Sequence, residues 1–565
     1  MGAALRSRRP NSGSGVRAVE PGQAEDELEE LERCRFLPPD DVSTTMLTWN
    51  VAAVNNNPFE YWIDYDDPVY QELMQGVECF LDDPAENDVE VSAVFTFEMF
   101  RELKALCEEE RMEGLDEVEE NMWLGGDLRL AHRRIVSEFI KDKGLGAKRL
   151  ISMPDRVTNT INVVTRTESS YRPPPACRPC VINNYEGDLS SVDVWWDSWK
   201  RFMFKDSMAV RSSVATVVQR PVEMLEQIPR SKYPAVSEDE ERLAIPLQLV
   251  CLAIFDAVII YFMNLLSRDC MWQNVKAKIC STLYRHKHQM TMDILSRRYG
   301  AVDVICLQEV AAVFKDTFSD SKLSKTHALS LPMKLDGKRD QNSLIMLRKE
   351  AFRIPTVFEV TSFIASFFPS ELKLADGDLL AVEAEHARDG RRYLIISFHG
   401  DTNGLLTVPL VRAVDAAVRQ RFTSHVVLLC LDANVYETPK DGRKLFKEFI
   451  SDVRQLGLTT CFGDDPDVSV CRTTCSSRTS LQPQLNKAVR HADMIAKSDM
   501  NPKDMILFYQ SQASMLDASQ MGRSRQSNPQ KDNTGRMFYK ENSIFPTLHF
   551  PSDHGIVALA LSVHA

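Results

Sequence analysis

The sequence predicts an α+β protein whose buried strands end in polar residues, and three observations lead there. Six short apolar runs, each aliphatic or β-branched enough for a buried strand, meet a restricted set of polar residues at one end. Between the first run and the others lie amphipathic stretches with apolar residues at three- and four-residue steps. With 565 residues, 44% hydrophobic and 26% charged, the chain can bury a full core and by length alone could hold two to four domains.

Along the chain, residues 1–42 form a separate block, basic and acid-free up to Glu20 and then sharply acidic in "AEDELEELER". This is expected to be a disordered tail or a targeting segment. It lacks an apolar core for secretion, and Arg6 stands where a myristoylation signal wants Ser or Thr. The first strand-like run, "MLTWNVA", carries Asn50. Residues 55–283 then read as mostly helical, with "VFTFEMFRELKALCEEER" and "RLAHRRIVSEFIKDKGL" as helices and "SSYRPPPACRPC" as an interrupting loop. The next runs are "VDVICLQEV" with Glu309, "RRYLIISFHGDTNG" with His399, Asp401 and Asn403, and "SHVVLLCLDANVY" with Asp432 and Asn434. "PKDMILF" sets Asp504 before its apolar residues, and "FPSDHGIVALAL" sets Asp553 and His554 before its own. Polar groups gathered at the ends of buried strands are where a sheet protein builds its site.

Composition excludes several classes. A net charge of -13 argues against a protein that grips nucleic acid through its overall field. Thirteen cysteines, several inside apolar runs, fit reduced core residues of an intracellular protein, and the odd count fits no closed disulfide set. Cys177 and Cys180 form a CxxC without a second one, so a zinc site is disfavoured. "LAIPLQLVCLAIFDAVIIYFMNLL", residues 243–266, is long enough to cross a bilayer with Asp256 as its one charge. One crossing between Asn50 and Glu309 would put them on opposite sides of a membrane, so this run is expected to be a core helix.

The polar residues are those a magnesium-assisted phosphoester hydrolase needs. Mg²⁺ (or Mn²⁺) takes one or two carboxylates, which Glu309 and Asp553 could supply. His554 could deprotonate an attacking water if Asp504 held its ring in the right tautomer. Asn50, Asn434 and His399 could meet the charge that grows on the phosphoryl oxygens. In residues 473–488, Arg478, Gln484 and Lys487 could contact phosphate or base, or simply lie in a loop leading into a helix. Each residue alone has a duller reading as a turn, cap or loop residue.

Taken in order, "TWN", "LQEV", "SFHG", "LDAN", "KDMILF" and "PSDHGIV" resemble the endonuclease/exonuclease/phosphatase superfamily over residues 46–52 and 301–562. The resemblance implies a four-layer α/β/β/α sandwich spanning residues 43–565, with 55–283 as a large helical insertion after the first strand. It implies Glu309, Asp553 and Asn50 at a metal, and His554, Asp504, Asp432, Asn434 and His399 in catalysis. Asn50, Asn434 and His399, with Arg478 added from the residue reading, would contact substrate. The chain departs from the family in "LDAN", which replaces "GDFN", in "HGDTNG", and in the separation of Asn50 and Glu309, which are 259 residues apart. The function expected is a Mg²⁺-dependent phosphodiesterase acting on nucleic acid, with an inositol phosphate or phospholipid phosphatase as the alternative and a non-catalytic scaffold behind both. A cytoplasmic location is expected, or a mitochondrial or plastid one if the basic tail is a transit peptide.

Overall fold

A computed structural model describes residues 35–36, 43–150, 177–211, 216–336, 339–483, 485–516 and 527–564. The expected N-terminal tail lies almost wholly outside the described residues, as do most of the proline-rich loop and Gln484.

Fifteen strands can be numbered among the described residues: β1 Ser43–Asn50, β2 Met208–Arg211, β3 Thr216–Gln219, β4 Val304–Val310, β5 His327–Ser330, β6 Asn342–Arg348, β7 Phe358–Glu359, β8 Leu379–Glu385, β9 Arg392–His399, β10 Val426–Asp432, β11 Leu458–Thr460, β12 Asp504–Tyr509, β13 Ala513–Met515, β14 Gln530–Asp532 and β15 Ile556–Val563. One sheet runs β13-β15-β1-β4-β6-β5 with β14 also on β15, and a second runs β11-β12-β10-β9-β8-β7. Both sheets are mixed: β1 pairs with β4 and β9 with β10 in parallel, and their other pairings are antiparallel.

The sheets pack face to face, and the period-two alternation of side chains sorts the central strands of the first sheet between two cores. Met46, Val304, Cys306, Ile345 and Leu347 face the second sheet, meeting a cluster that includes Leu380, Val382, Leu394 and Ile396. Their neighbours Leu47, Trp49, Ile305, Leu307, Leu344 and Met346 face the other way, into one cluster with the helices between β1 and β4. Strands covered on both faces have no polar side to show, which is why they read as unbroken apolar runs.

The main helices are α1 Pro68–Asp82, α2 Phe97–Glu109, α3 Val192–Phe204, α4 Ala244–Leu266, α5 Trp272–Cys280, α6 Lys287–Arg298, α7 Thr407–Gln420 and α8 Phe446–Gln455. Helices α7 and α8 cover the outer face of the second sheet, and the helices between β1 and β4 cover the first. The result is the four-layer α/β/β/α sandwich.

Helix α4 is the apolar run that is long enough to span a bilayer, and it is buried in the protein over most of its length. Its Asp256 is fully buried, with Arg178 Nε 2.9 Å from Oδ2, Cys180 Sγ 2.7 Å from Oδ1, and Trp199 Nε1 donating at 3.1 Å. The CxxC thus serves this buried network, through Cys180, and lies in no metal cluster among the described residues.

One expected helix is broken. Residues 129–145 form a short turn at Leu130–His132, a wide turn at Ile135–Ile140 and a helix at Lys143–Ala147. Arg134 is extended there (ψ 134°) because Glu90 bridges to it, and Arg133 is held by Asp142 and by the Leu128 carbonyl. Tertiary contacts override the helical spacing.

Candidate active site

Strand direction brings the polar residues to one edge. Asn50 is the last residue of β1 and sits opposite Gln308 of parallel β4, so Glu309 lies one step further at the same edge. His399 ends β9 opposite Asp432, which ends parallel β10. Strands β12 and β15 run antiparallel to β10 and β1, so here the leading residues reach that edge: Asp504 opposite Asp432, and His554 two residues before β15. Glu309 sits in an irregularity of register between Leu307 and Val310 with φ 56°, a bulge that re-aims its carboxylate.

His554 and Asp504 form the most enclosed pair. Nδ1 of His554 lies 2.9 and 3.1 Å from the two Asp504 oxygens, with Asp504 fully buried and His554 nearly so. Thr473 Oγ1 donates to Asp504 at 2.6 Å, the His554 amide donates to Ser552 Oγ at 3.0 Å, and Trp49 Nε1 donates to the His554 carbonyl at 3.0 Å. With Nδ1 so engaged, Nε2 has no hydrogen-bond partner among the described residues, and the ring lines a cavity. Burial alone would push the imidazole down, but Asp504, with Asp432 and Asp553, holds its proton and raises it to about 10.

Beside this pair, Asn50 Nδ2 donates to Glu309 Oε1 at 3.0 Å and to Asp432 Oδ2 at 2.8 Å, while its Oδ1 accepts from Ala52 N at 2.8 Å. Both Nδ2 protons of Asn50 are therefore engaged in orienting two carboxylates, and its Oδ1 keeps a second acceptor position. Asn434 donates to the same Asp432 through its backbone at 3.1 Å and its amide at 3.2 Å. His399 Nε2 is 3.2 Å from Glu309 and 3.7 Å from Asp432, and its Nδ1 is buried 3.9 Å from Asp378. Burial opposes the charged form of His399, but Asp378, Glu309 and Asp432 raise it well above the ordinary value. Burial likewise would raise Glu309, but His399 and Asn50 hold it below the usual carboxylate range.

The donor set fits a hard cation. Glu309, His399 and Asp432 each place a ligand atom within 4.8 Å of the others, as do Asp432, Asp504 and His554. Asp553 belongs to neither group; its carboxylate faces the cavity beside Glu309 with no hydrogen bond or ion pair among the described residues. An acid left unpaired there suits a cation or a bound water.

Asp401 and Asn403 stay outside this cluster. Asp401 accepts from the Asn403 and Leu406 amides at 3.1 and 2.8 Å, shaping the loop. Gly404 (φ +72°) closes it against the Asn434 carbonyl, where a Cβ would stand at 2.4 Å. Arg478 pairs with Glu60 and lies over the Tyr61 ring, 5.4 Å from its centroid. Lys487 ends a short turn, Leu485–Lys487.

The cavity, about 270 Å³, is lined on one side by Glu309, Asp553 and His554 and on the other by Asn55, Tyr61, Tyr284 and Lys287 from the segment between β1 and β4. Tyr61, Lys287, Asp378 and Thr473 bear on the site without a signal in the sequence reading.

A family model described as "Domain of unknown function (DUF8234)" matches residues 88–277, inside the segment between β1 and β4. No curated protein matches the sequence. Among solved structures, the chain is similar to the human Nocturnin catalytic domain with bound sulfate (14% identity, 50% of this chain and 87% of that one, TM-score 0.31). It is also similar to D. rerio TDP2 complexed with single strand DNA product (14%, 48% and 90%, 0.28). A third is an endonuclease/exonuclease/phosphatase family protein from Bacteroides thetaiotaomicron (13%, 49% and 89%, 0.29).

Proposed function

We propose that the protein is a divalent-cation-dependent phosphoester hydrolase, a phosphodiesterase acting on nucleic acid, in which His554 accepts the proton of the attacking water. The observation that carries this reading is the buried His554–Asp504 pair, held 2.9 Å apart at the wall of a cavity it shares with Glu309 and Asp553.

Asp504 accepts a hydrogen bond from Nδ1–H of His554, which keeps the proton on Nδ1 and so leaves Nε2 as the basic nitrogen facing the cavity. As Nε2 gains the water's proton, Asp504 and Asp432 stabilise the imidazolium. Asn434 and His399 would serve as donors to the phosphoryl oxygens, and Asn50 holds Glu309 and Asp432 in place. Glu309 and Asp553 would hold Mg²⁺ or Mn²⁺, which supplies positive charge against the phosphoryl oxygens.

The small cavity walled on one side by the segment between β1 and β4 favours a single flexible strand, or a small phosphoester such as an inositol phosphate, over a rigid duplex. Steady-state hydrolysis of bis-p-nitrophenyl phosphate, a single-stranded oligonucleotide, the matching duplex and an inositol phosphate tests this. The expected result is turnover that needs Mg²⁺ or Mn²⁺, stops with chelator, falls at least about a hundredfold in Glu309→Ala, and is slowest on duplex. Turnover undiminished in chelator contradicts the reading, and equal rates on duplex and single strand contradict that preference.

A further inference from the structure

Two side chains on the flanks of the inserted segment face the catalytic residues across the cavity. Lys287, the first residue of α6, is 4% exposed, and its Nζ donates to the Pro551 carbonyl at 2.9 Å and the Ala53 carbonyl at 3.3 Å. Two of its three protons are thereby used, and it forms no ion pair among the described residues; burial opposes its charge, while Asp553 and Glu309, which line the cavity with it, favour that charge from beyond contact distance. A buried ammonium without a carboxylate partner is costly unless an anion comes to it. Tyr61 enters from the other flank, its backbone bridged to Arg478 and its ring under that guanidinium. Its hydroxyl has no hydrogen-bond partner among the described residues, and Glu60, Asp553 and Glu309 lie near enough to oppose its ionisation, next to the larger effect of burial.

We infer that the segment between β1 and β4 completes the active site, with the Lys287 ammonium and the Tyr61 hydroxyl donating to the phosphate of a substrate no larger than one nucleotide- or sugar-sized unit at that point. This rests on the reading of the site as one for phosphoesters. Of the site residues on the two sheets only two acids and a base, Glu309, Asp553 and His554, line this cavity, and His399 and Asn434 lie outside its lining, so donors on this side come from the segment between β1 and β4. Lys287 is held rigidly by two carbonyls, one of them two residues before Asp553, so its free proton is aimed with little entropy left to lose. At about 270 Å³ the cavity lies at the small end of ligand pockets, which run from about 300 to 1,000 Å³.

The test is calorimetric titration of the full chain with inorganic phosphate in Mg²⁺, a readout independent of turnover. Lys287→Met and Tyr61→Phe should each weaken phosphate binding about tenfold or more, the loss of a donor to a charged group, while Lys287→Arg keeps affinity within a few fold. Lys276→Met, which removes another buried lysine that donates to the Cys180 carbonyl at 2.8 Å away from the cavity lining, should leave binding unchanged. Should Lys287→Met not fold, Tyr61→Phe, which loses a single oxygen, decides. Unchanged affinity in the folded variants, equal loss in Lys276→Met, or no phosphate binding by the wild type overturns the inference. A wild type that binds phosphate through these residues yet hydrolyses no phosphoester would leave the inference standing and remove the proposed activity.

Discussion

At the scale of single residues, Asp504 decides what His554 can do. Its carboxylate fixes the ring at Nδ1 and raises the proton affinity of the imidazole. Asp504→Asn keeps the shape but can present its amide hydrogens to Nδ1 and so favour the wrong tautomer, at a cost of about a hundredfold to ten-thousandfold in turnover. A base must be neutral to work, so the rate rises with pH as His554 deprotonates. Removing the neighbouring charge lowers that pKa and should shift the rising limb to lower pH. Stability has the opposite sign. In the cation-free protein, a histidine raised from about 6.5 to about 10 favours folding fully below the lower value and loses that contribution as pH rises through the upper one. Thermal midpoints in chelator should therefore fall less steeply above pH 6.5 in Asp504→Asn than in the wild type, and parallel slopes would contradict the pairing. His554, Asp504, Glu309 and Asp432 were legible in the sequence because an ionisable group at the mouth of a buried strand needs a reason. Tyr61 and Lys287 were not, since the burial that makes them notable is created only by the tertiary fold.

At the scale of elements, legibility followed burial on two faces. Runs such as β9, β10 and β15 announce themselves as unbroken apolar stretches, whereas the two-residue strand β7 and the three-residue β11, β13 and β14 are too short to show a period. The segment 129–145 had helical spacing but is broken where Arg133 and Arg134 are tied to Asp142 and Glu90. Helix α4 shows how one residue can mislead by composition and inform by contact. Its apolar length imitates a membrane span, and its single acid is instead the partner of buried Arg178. Asp256→Ala should cost about 3–5 kcal/mol, because it strands a buried guanidinium, whereas replacing both as Arg178→Met with Asp256→Leu should recover most of that. Urea unfolding of the wild type and the two variants checks this, and a double variant as unstable as the single would contradict it.

At the scale of the whole molecule, the sandwich supplies the acids and the base, and the segment between β1 and β4 forms a layer over the first sheet and a wall of the cavity. The sandwich was foreseen through the resemblance that the ordered polar motifs carry, and those motifs were legible because each stands at the end of a buried apolar run. How the inserted residues pack was not foreseeable, since their helical spacing does not say which sheet face they cover. If Lys287 and Tyr61 donate as inferred, a chain of net charge -13 would recognise one phosphate locally rather than a long charged track. The central claim is that His554 performs chemistry rather than shaping a turn, and one paired measurement on His554→Ala tests it most directly: turnover of bis-p-nitrophenyl phosphate in Mg²⁺ beside the thermal midpoint. The account predicts a folded protein whose rate per folded molecule falls at least about a hundredfold; a changed midpoint with the rate per folded molecule intact would contradict it.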